Sequence, residues 1–415
     1  MKRFLAPMLA LTLIAAGSCS KSPPQPIRVG TVYPLTGSQE EGGHEEFGGV
    51  QLAADLVNED GGVNGCPIEL VPMDVEGADA APAAVASLHD EGVNLVLGSY
   101  GSTISSPAAD AAARRGMLFW ETGAVGDMTG TGAGDLVFRV APTGGVLGHA
   151  AIAFIARELA PKLGRDPTTL RFAVANVNDS YGEAVARGAL EEIAAQGLTL
   201  AGQFPYDPRN SAIARVAGDI AAARPDVLFV AAYLDDGIEL RRQTVSQGIH
   251  LVASIGTSSS YCMPQFGSSL GADAVGMFAS DKPDSDALNN AGLTADGQAL
   301  LARARAAYSD RFGTEMSAPA LAGFSGAWAL FHDVMPSASA MTPTSIAASA
   351  QQTQIPAGGL PNGSGLRFGA PGSPDAGANL RAASVIWEWV GIGQRAVVWP
   401  PRFATTDIQT IAIAP

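Results

Sequence analysis

Two hydroxyl residues, Ser102 and Thr103, follow the apolar run 94–99 and open an alanine-rich helical segment that carries Pro107 early. Free backbone N–H groups and the helix dipole favour an anion at such a junction, and the hydroxyls add donors, so the chemistry on offer is carboxylate binding. The surrounding "GSYGST" lacks the Gly-Lys-Ser/Thr of a phosphate loop, which makes nucleotide a poor fit. Tyr181 and Tyr233 stand where the apolar runs 171–177 and 226–233 end, the side of an α/β sheet that meets ligands. Tyr100 adds apolar wall beside Ser102, whereas Trp120, inside the run 117–121, reads as core.

Catalytic patterns are missing. His44, His89, His149, His250 and His332 never recur at i, i+3 or i+4, and the three cysteines form no Cys-x-x-Cys pair, which argues against a local metal site and a disulfide scaffold. "GFSGA" at 323–327 lacks the second glycine of a nucleophile elbow, and "TGTGAG" at 129–134 does not directly follow a strand. No cofactor or metal is expected, and a binding protein is favoured over an enzyme. Cys66 and Cys262 read as thiols.

The elements that must position these residues belong to a long, well-buried chain. At 415 residues, with 47% hydrophobic and 16% charged, two or three globular domains are expected. A net charge of -15 repels phosphate backbones and anionic headgroups, so nucleic acid is excluded as a partner.

Lys2 and Arg3 precede an apolar run over 4–16 that closes on Ala16, Gly17, Ser18 and Cys19, the order of a secretion signal. A cysteine directly after small residues resembles the bacterial lipobox, in which the thiol is acylated and becomes residue one. Residues 1–18 are read as a lipoprotein signal peptide and 19–26, rich in proline, as a stiff tether. That places the protein in the periplasm or cell envelope, held to the membrane only by lipid on Cys19. No later run supplies the ~20 apolar residues of a membrane span.

From residue 27 strand-length apolar runs alternate with helical segments, the pattern of parallel sheets with crossover helices. Strands are expected at 27–33, 68–74, 94–99, 117–121 and 136–141, and helices at 44–59, 79–91 and 103–115. The pattern then restarts, with strands at 171–177, 199–206, 226–233, 250–256 and 275–280, among helices at 145–160, 181–196, 211–223 and 235–247. Helices at 296–312 and 318–335 and a strand at 383–390 complete the chain. The fold class is α/β: two doubly wound, Rossmann-like lobes joined by a hinge of several crossings, with a ligand in the cleft between them. The first lobe takes 27–143 with about 282–355, and the second 144–281 with about 356–415.

The segments "IRVGTVYPLTG", "NEDGGVNGCPIELV", "VNLVLGSYGSTISSPAAD", "GMLFWETGAV", "NDSYGEAVA" and "DVLFVAAYLDDGIELRRQ" carry a resemblance in this order. The chain resembles type 1 periplasmic solute-binding proteins of ABC importers, most closely the branched-chain amino-acid (leucine/isoleucine/valine) group, from about residue 27 to 390. The resemblance implies a monomer that delivers a small amphipathic carboxylate, such as an amino acid, to permease subunits in the inner membrane. A sensing protein for an amide or organic acid is the alternative within the same fold, and an α/β enzyme the more remote one. The resemblance also implies that Ser102 and the backbone at Gly123, Ala124 and Val125 hold the ligand carboxylate, and that Tyr181 and Tyr233 close over it.

Three departures accompany the likeness. Gly42 stands where the leucine-binding group has a first-loop tyrosine, and Val125 where it has threonine. The acid that pairs with the ligand ammonium is replaced by Thr257 or Ser258, which leaves Glu121 and Asp236 as the acidic substitutes nearest in sequence logic. Acylation of Cys19 is testable at once, since each buried acyl CH₂ contributes ~0.8 kcal/mol and several chains anchor firmly. Cys19→Ala moves the protein from the membrane to the soluble fraction; unchanged fractionation contradicts the lipid anchor.

Overall fold

The computed structural model describes residues 25–128, 134–209, 212–283 and 288–414; Cys19 and the leader lie outside them. Five parallel strands, β1 (Ile27–Tyr33), β2 (Ile68–Asp74), β3 (Leu95–Gly98), β4 (Leu118–Glu121) and β5 (Val137–Arg139), form one sheet in the order β2-β1-β3-β4-β5. The second sheet contains β6 (Arg171–Val177), β7 (Thr199–Tyr206), β8 (Val227–Ala231), β9 (Ala253–Thr257), β10 (Phe278–Asp281), β11 (Val385–Gly391) and β12 (Gln394–Trp399). Its order is β12-β11-β10-β9-β8-β6-β7, with β6 to β10 parallel and the last two strands antiparallel. In each sheet the first strand of the half lies between the second and the third, so winding reverses between β1 and β3 and again between β6 and β8. Crevices open at such switch points, beyond the carboxyl ends of the strands.

Composition explains the placement of the strands. β3 (LVLG) and β8 (VLFVA) are buried at every position, as central parallel strands covered on both faces must be. The edge strands β2 and β7 carry exposed residues along their length. Helices Glu40–Glu59 and Ala318–Trp328 lie against one another in the first lobe, and Gly323 allows this because a Cβ there would stand 2.1 Å from the Glu46 carbonyl oxygen. "GFSGA" is therefore a helix contact. Pro107 falls inside helix Ser102–Ala113 rather than in its opening turn.

Several elements depart from the sequence pattern. The helices expected at 145–160 and 318–335 each contain a π-helical turn, Ile155–Leu159 and Ala329–Val334, followed by a short α-helical or 3-10 turn. Helices Pro264–Leu270 and Pro343–Gln352 and strand β12 are additional. The β11–β12 hairpin turns at Ile392 and Gly393, where Gly393 has φ +66°. The stretch 356–382 runs along the free side of β5: Asn379 Nδ2 donates to the Val140 carbonyl at 3.0 Å, and the Phe368 ring meets Phe138 at 4.8 Å and Trp120 at 5.3 Å. These contacts attach it to the first sheet, whereas chain order groups it with the second. Cys66 and Cys262 are not joined in a disulfide. Among the described residues no helix is long and apolar enough to cross a membrane.

Trp120 is fully buried and donates its indole N–H to the Gly326 carbonyl at 2.9 Å, so it ties β4 to helix Ala318–Trp328. Trp120→Ala leaves a cavity between β4, β5 and the 356–382 stretch and costs about 3–5 kcal/mol, as large-to-small core changes do. Chemical denaturation reads this loss; a midpoint within error of the parent would contradict the packing role.

Candidate functional site

A cleft of about 280 Å³ opens between the two sheets, at the carboxyl ends of their strands. Its first-lobe wall is built from the start of helix Glu40–Glu59, from Tyr100, Gly101 and Ser102 after β3, from Gly123 and Val125 after β4, and from residues 315–319. The opposite wall comes from Tyr181 and Tyr233, from Ser258 and Ser259 after β9, from residues 262–265, from Asp281 and Lys282 at the end of β10, and from Arg395 on β12. The walls touch directly. Gln265 Nε2 donates to Glu41 Oε1 at 3.0 Å, Lys282 Nζ donates to the Gly123 carbonyl at 2.7 Å, and Arg187 pairs with Asp127. A volume at the low end of small-molecule pockets, ~300–1,000 Å³, fits a solute of single-amino-acid size.

Ser102 occupies the first residue of its helix, after Gly101, which provides no side-chain cap. Its Oγ accepts from the Gly126 N–H at 2.9 Å. A hydroxyl that already accepts keeps its one proton for an acceptor in the cleft, and the helix dipole favours a negative one. The neighbouring Thr103 lies outside the cleft lining and accepts from Gln39 Nε2 at 3.4 Å.

Glu121 turns away from the cleft. Oε1 accepts from the N–H groups of Gly123 and Ala124, both at 2.7 Å, while Oε2 accepts from Ser99 N at 3.1 Å and from the Ser105 hydroxyl. The two N–H groups expected to receive a ligand carboxylate are therefore occupied by a side chain, and Glu121 itself is fully buried. Burial and the nearby Glu46 push its pKa up to about 8, against the pull of the Ser105, Gly123 and Ala124 bonds. Glu46, also fully buried, accepts from Thr122 Oγ1 at 2.6 Å, and Tyr33 donates to that hydroxyl at 2.7 Å. Its Oε2 has no hydrogen-bond partner, and burial raises its pKa to about 7. A Cβ at Gly123 would stand 1.9 Å from that oxygen, so a larger residue there would require the Glu46 carboxyl to move.

The tyrosines present rings rather than hydroxyls. Tyr181 OH pairs with Thr257 Oγ1 at 2.9 Å, Tyr233 OH donates to Asp179 Oδ2 at 2.8 Å, and the ring centroids are 5.3 Å apart. Asp179 caps helix Ser180–Ala195 through the N–H groups of Tyr181 and Gly182, which explains "NDSYGE" locally. Thr257 is fully buried behind Tyr181 and does not line the cleft. Asp236 is held by the Tyr206 hydroxyl, away from the cleft. A Cβ on Gly42 would lie 2.3 Å from the Tyr100 ring, so the glycine clears the space that this tyrosine fills from the neighbouring loop.

The structure thus brings Tyr100, Ser102, Gly123, Val125, Tyr181 and Tyr233 together and leaves Thr103, Ala124, Glu121 and Thr257 outside the lining. Sequence reasoning missed Asp281, Lys282, Cys262 and Arg395 as lining residues. "ASDKP", which runs off the end of a buried strand, was the available signal for the first two. Arg395 stacks over Trp387 at 4.4 Å and donates to the Cys262 carbonyl, a placement created by the β11–β12 hairpin. Among the described residues no group of three His, Cys, Asp or Glu side chains could hold a metal ion.

Residues 26–380 match the family described as periplasmic binding protein. A Leu/Ile/Val-binding protein homolog 8 of Brucella abortus is 26% identical over 387 residues, 92% of this chain and 93% of that one. Among solved structures, a leucine binding protein from Thermotoga maritima has a TM-score of 0.73 at 17% identity, covering 89% of this chain and 97% of that one. A solute binding protein of an ABC transporter from Rhodopseudomonas palustris, in complex with 3,4-dihydroxy benzoic acid, has a TM-score of 0.67 at 16% identity, covering 88% and 93%.

Two buried acids with raised pKa values make a pH signature. The folded state holds protons on Glu46 and Glu121 more tightly than the unfolded chain, whose carboxyls titrate near 4.5. The stability they contribute is complete below about pH 4.5 and is lost as pH rises through about 7 and 8. Glu46→Gln removes one of the two charges and keeps an acceptor for Thr122. Urea denaturation at pH 5, 6.5 and 8 is expected to show the variant gaining roughly 1–3 kcal/mol on the parent at pH 8 and little at pH 5. Parallel pH profiles for the two proteins would contradict a titrating Glu46.

Proposed function

Because this chain belongs to the periplasmic binding protein family, we propose that it is the lipid-anchored, solute-binding component of an ABC importer. It closes two lobes around a small amphipathic carboxylate, of the size and kind of a branched-chain amino acid, and presents it to permease subunits in the membrane. The observation that carries this reading is Ser102: an accepting hydroxyl with its proton unspent, at a helix N-terminus, on the wall of a cleft at a topological switch point. The names of the Brucella relatives support the solute class. Tyr100, Val125, Tyr181 and Tyr233 supply the apolar walls, while Ala124, Glu121, Thr103 and Thr257 hold those walls in shape. Among the described residues no histidine lines the cleft.

The moving bodies are the lobes 27–143 with about 282–355, and 144–281 with the terminal hairpin, the 356–382 stretch travelling with the first. Residues 19–26 give the tethered protein reach from the membrane. The protein acts as a monomer.

Ser102→Ala removes one donor to a charged carboxylate, which costs about 1.5–3 kcal/mol, or roughly ten- to more than a hundredfold in Kd. Calorimetric titration with leucine, isoleucine and valine measures it. Small-angle scattering with the same amino acids at saturation is expected to show a more compact parent, because a solute touching both walls binds the closed form preferentially. Affinity unaltered in the variant removes Ser102 from the site, and an unchanged radius of gyration in the parent counts against lobe closure.

A further inference from the structure

We propose that Asp281 is the anchor for a cationic group on the solute, supplied from the end of β10 in place of the acid that the leucine-binding group carries after β9. The inference rests on the solute-binding reading above and names the half of the ligand that Ser102 does not address. Asp281 lines the cleft and is 4% exposed. Ser258 Oγ donates to its Oδ1 at 2.8 Å, and the Cys262 thiol, with one proton, lies 2.8 Å from its Oδ2 and 2.6 Å from the Ser258 carbonyl. Both groups are neutral. They orient the carboxylate without balancing its charge, and a carboxylate with two oxygens has room for further donors. The adjacent Lys282 spends its ammonium on the Gly123 carbonyl at 2.7 Å, and among the described residues no Lys, Arg or His pairs with Asp281.

A buried carboxylate without an opposite charge is costly, so a cation from the solute fits the vacancy in its charge balance. The other buried acids near the cleft do not offer this. Glu121 is saturated by four donors of its own lobe and faces away, and Glu46 lies behind Gly123. Thr257 is held by Tyr181, and Ser258 serves Asp281 itself.

The position of Asp281 also suits a ligand that bridges the lobes. Burial raises the phenol pKa values of Tyr100, on the first wall, and Tyr181, on the second, and the charge of Asp281 adds to both. The carboxylate therefore lies within electrostatic reach of both tyrosines. Ser102 on the first wall offers a donor and Asp281 on the second an acceptor, so these two groups set opposite polarity on facing walls, among the other charged lining residues Glu41, Glu45 and Glu315 of the first wall and Lys282 and Arg395 of the second. A zwitterion spans that polarity; a simple carboxylic acid satisfies only one end.

The test is calorimetric titration of the parent, Asp281→Asn and Ser258→Ala with three probes of one skeleton: leucine, its deaminated acid 4-methylpentanoate, and 3-methylbutylamine. The parent is expected to bind leucine at least about tenfold more tightly than 4-methylpentanoate, since a charge-assisted hydrogen bond contributes about 1.5–3 kcal/mol. Asp281→Asn should lose about ten- to a hundredfold for leucine and change little for 4-methylpentanoate, with Ser258→Ala lying between. Leucine affinity unchanged in Asp281→Asn overturns the assignment. If that variant does not fold, an unchanged leucine preference in Ser258→Ala overturns it. A parent that prefers 4-methylpentanoate to leucine also overturns it, while leaving carboxylate binding intact. A parent that binds none of the three probes overturns the amphipathic-carboxylate reading itself, and the role of Asp281 with it.

Discussion

The hydrogen bonds of Glu121 organise the first-lobe half of the cleft. Its carboxylate gathers the N–H groups of Ser99, Gly123 and Ala124 and the Ser105 hydroxyl, so the turn after β3, the following helix and the turn after β4 are held to one point. Buried backbone donors must find acceptors, and a side chain meeting three of them at once fixes two loops relative to each other. Ser102 owes its position to this arrangement: the helix it opens and the Gly126 N–H that approaches its hydroxyl belong to the two turns that Glu121 joins. Had Glu121 faced the cleft, those N–H groups would have needed another partner.

The second lobe uses rings and short polar side chains for the same purpose. Asp179 both caps its helix and receives the Tyr233 hydroxyl, while Thr257 holds the Tyr181 hydroxyl. Each tyrosine is anchored by its polar end inside its own lobe while its side chain lines the cleft. An anchored ring loses little freedom when a ligand arrives, and that favours affinity through preorganisation. Lys282 then reaches across to the Gly123 carbonyl, beside the buried Glu46, so the crossing segment after β10 joins both lobes by a charged group at the back of the cleft.

The contact between helices Glu40–Glu59 and Ala318–Trp328 serves the scaffold. Close approach at Gly323 lets helix Ala318–Trp328 lie directly on helix Glu40–Glu59, whose first turn forms part of the cleft wall. The 356–382 stretch, packed through Phe368 on Trp120 and Phe138, covers the β5 side of the sheet that would otherwise expose an edge.

Strand and helix order, the restart of the pattern near residue 145, and the position of Ser102, Tyr181 and Tyr233 at strand ends were all legible in the chain, because period and turn chemistry are local properties. β1, β2, β6 and β7 begin and end where their apolar runs do. Hairpin strand β12 was not legible: its residues, QRAVVW, gain their meaning only from pairing with β11. The role of Glu121 was misread for a related reason, since an acid after a buried strand looks the same in sequence whether it turns to a ligand or to its own backbone. Asp281 escaped notice because the neighbours that orient it, Ser258 and Cys262, are far from it along the chain and arrive through the parallel pairing of β9 with β10. Residue type and local spacing determined which chemistry this chain contains; the packing of strands from distant segments decided which of those groups share a cleft and which spend their charge on the fold.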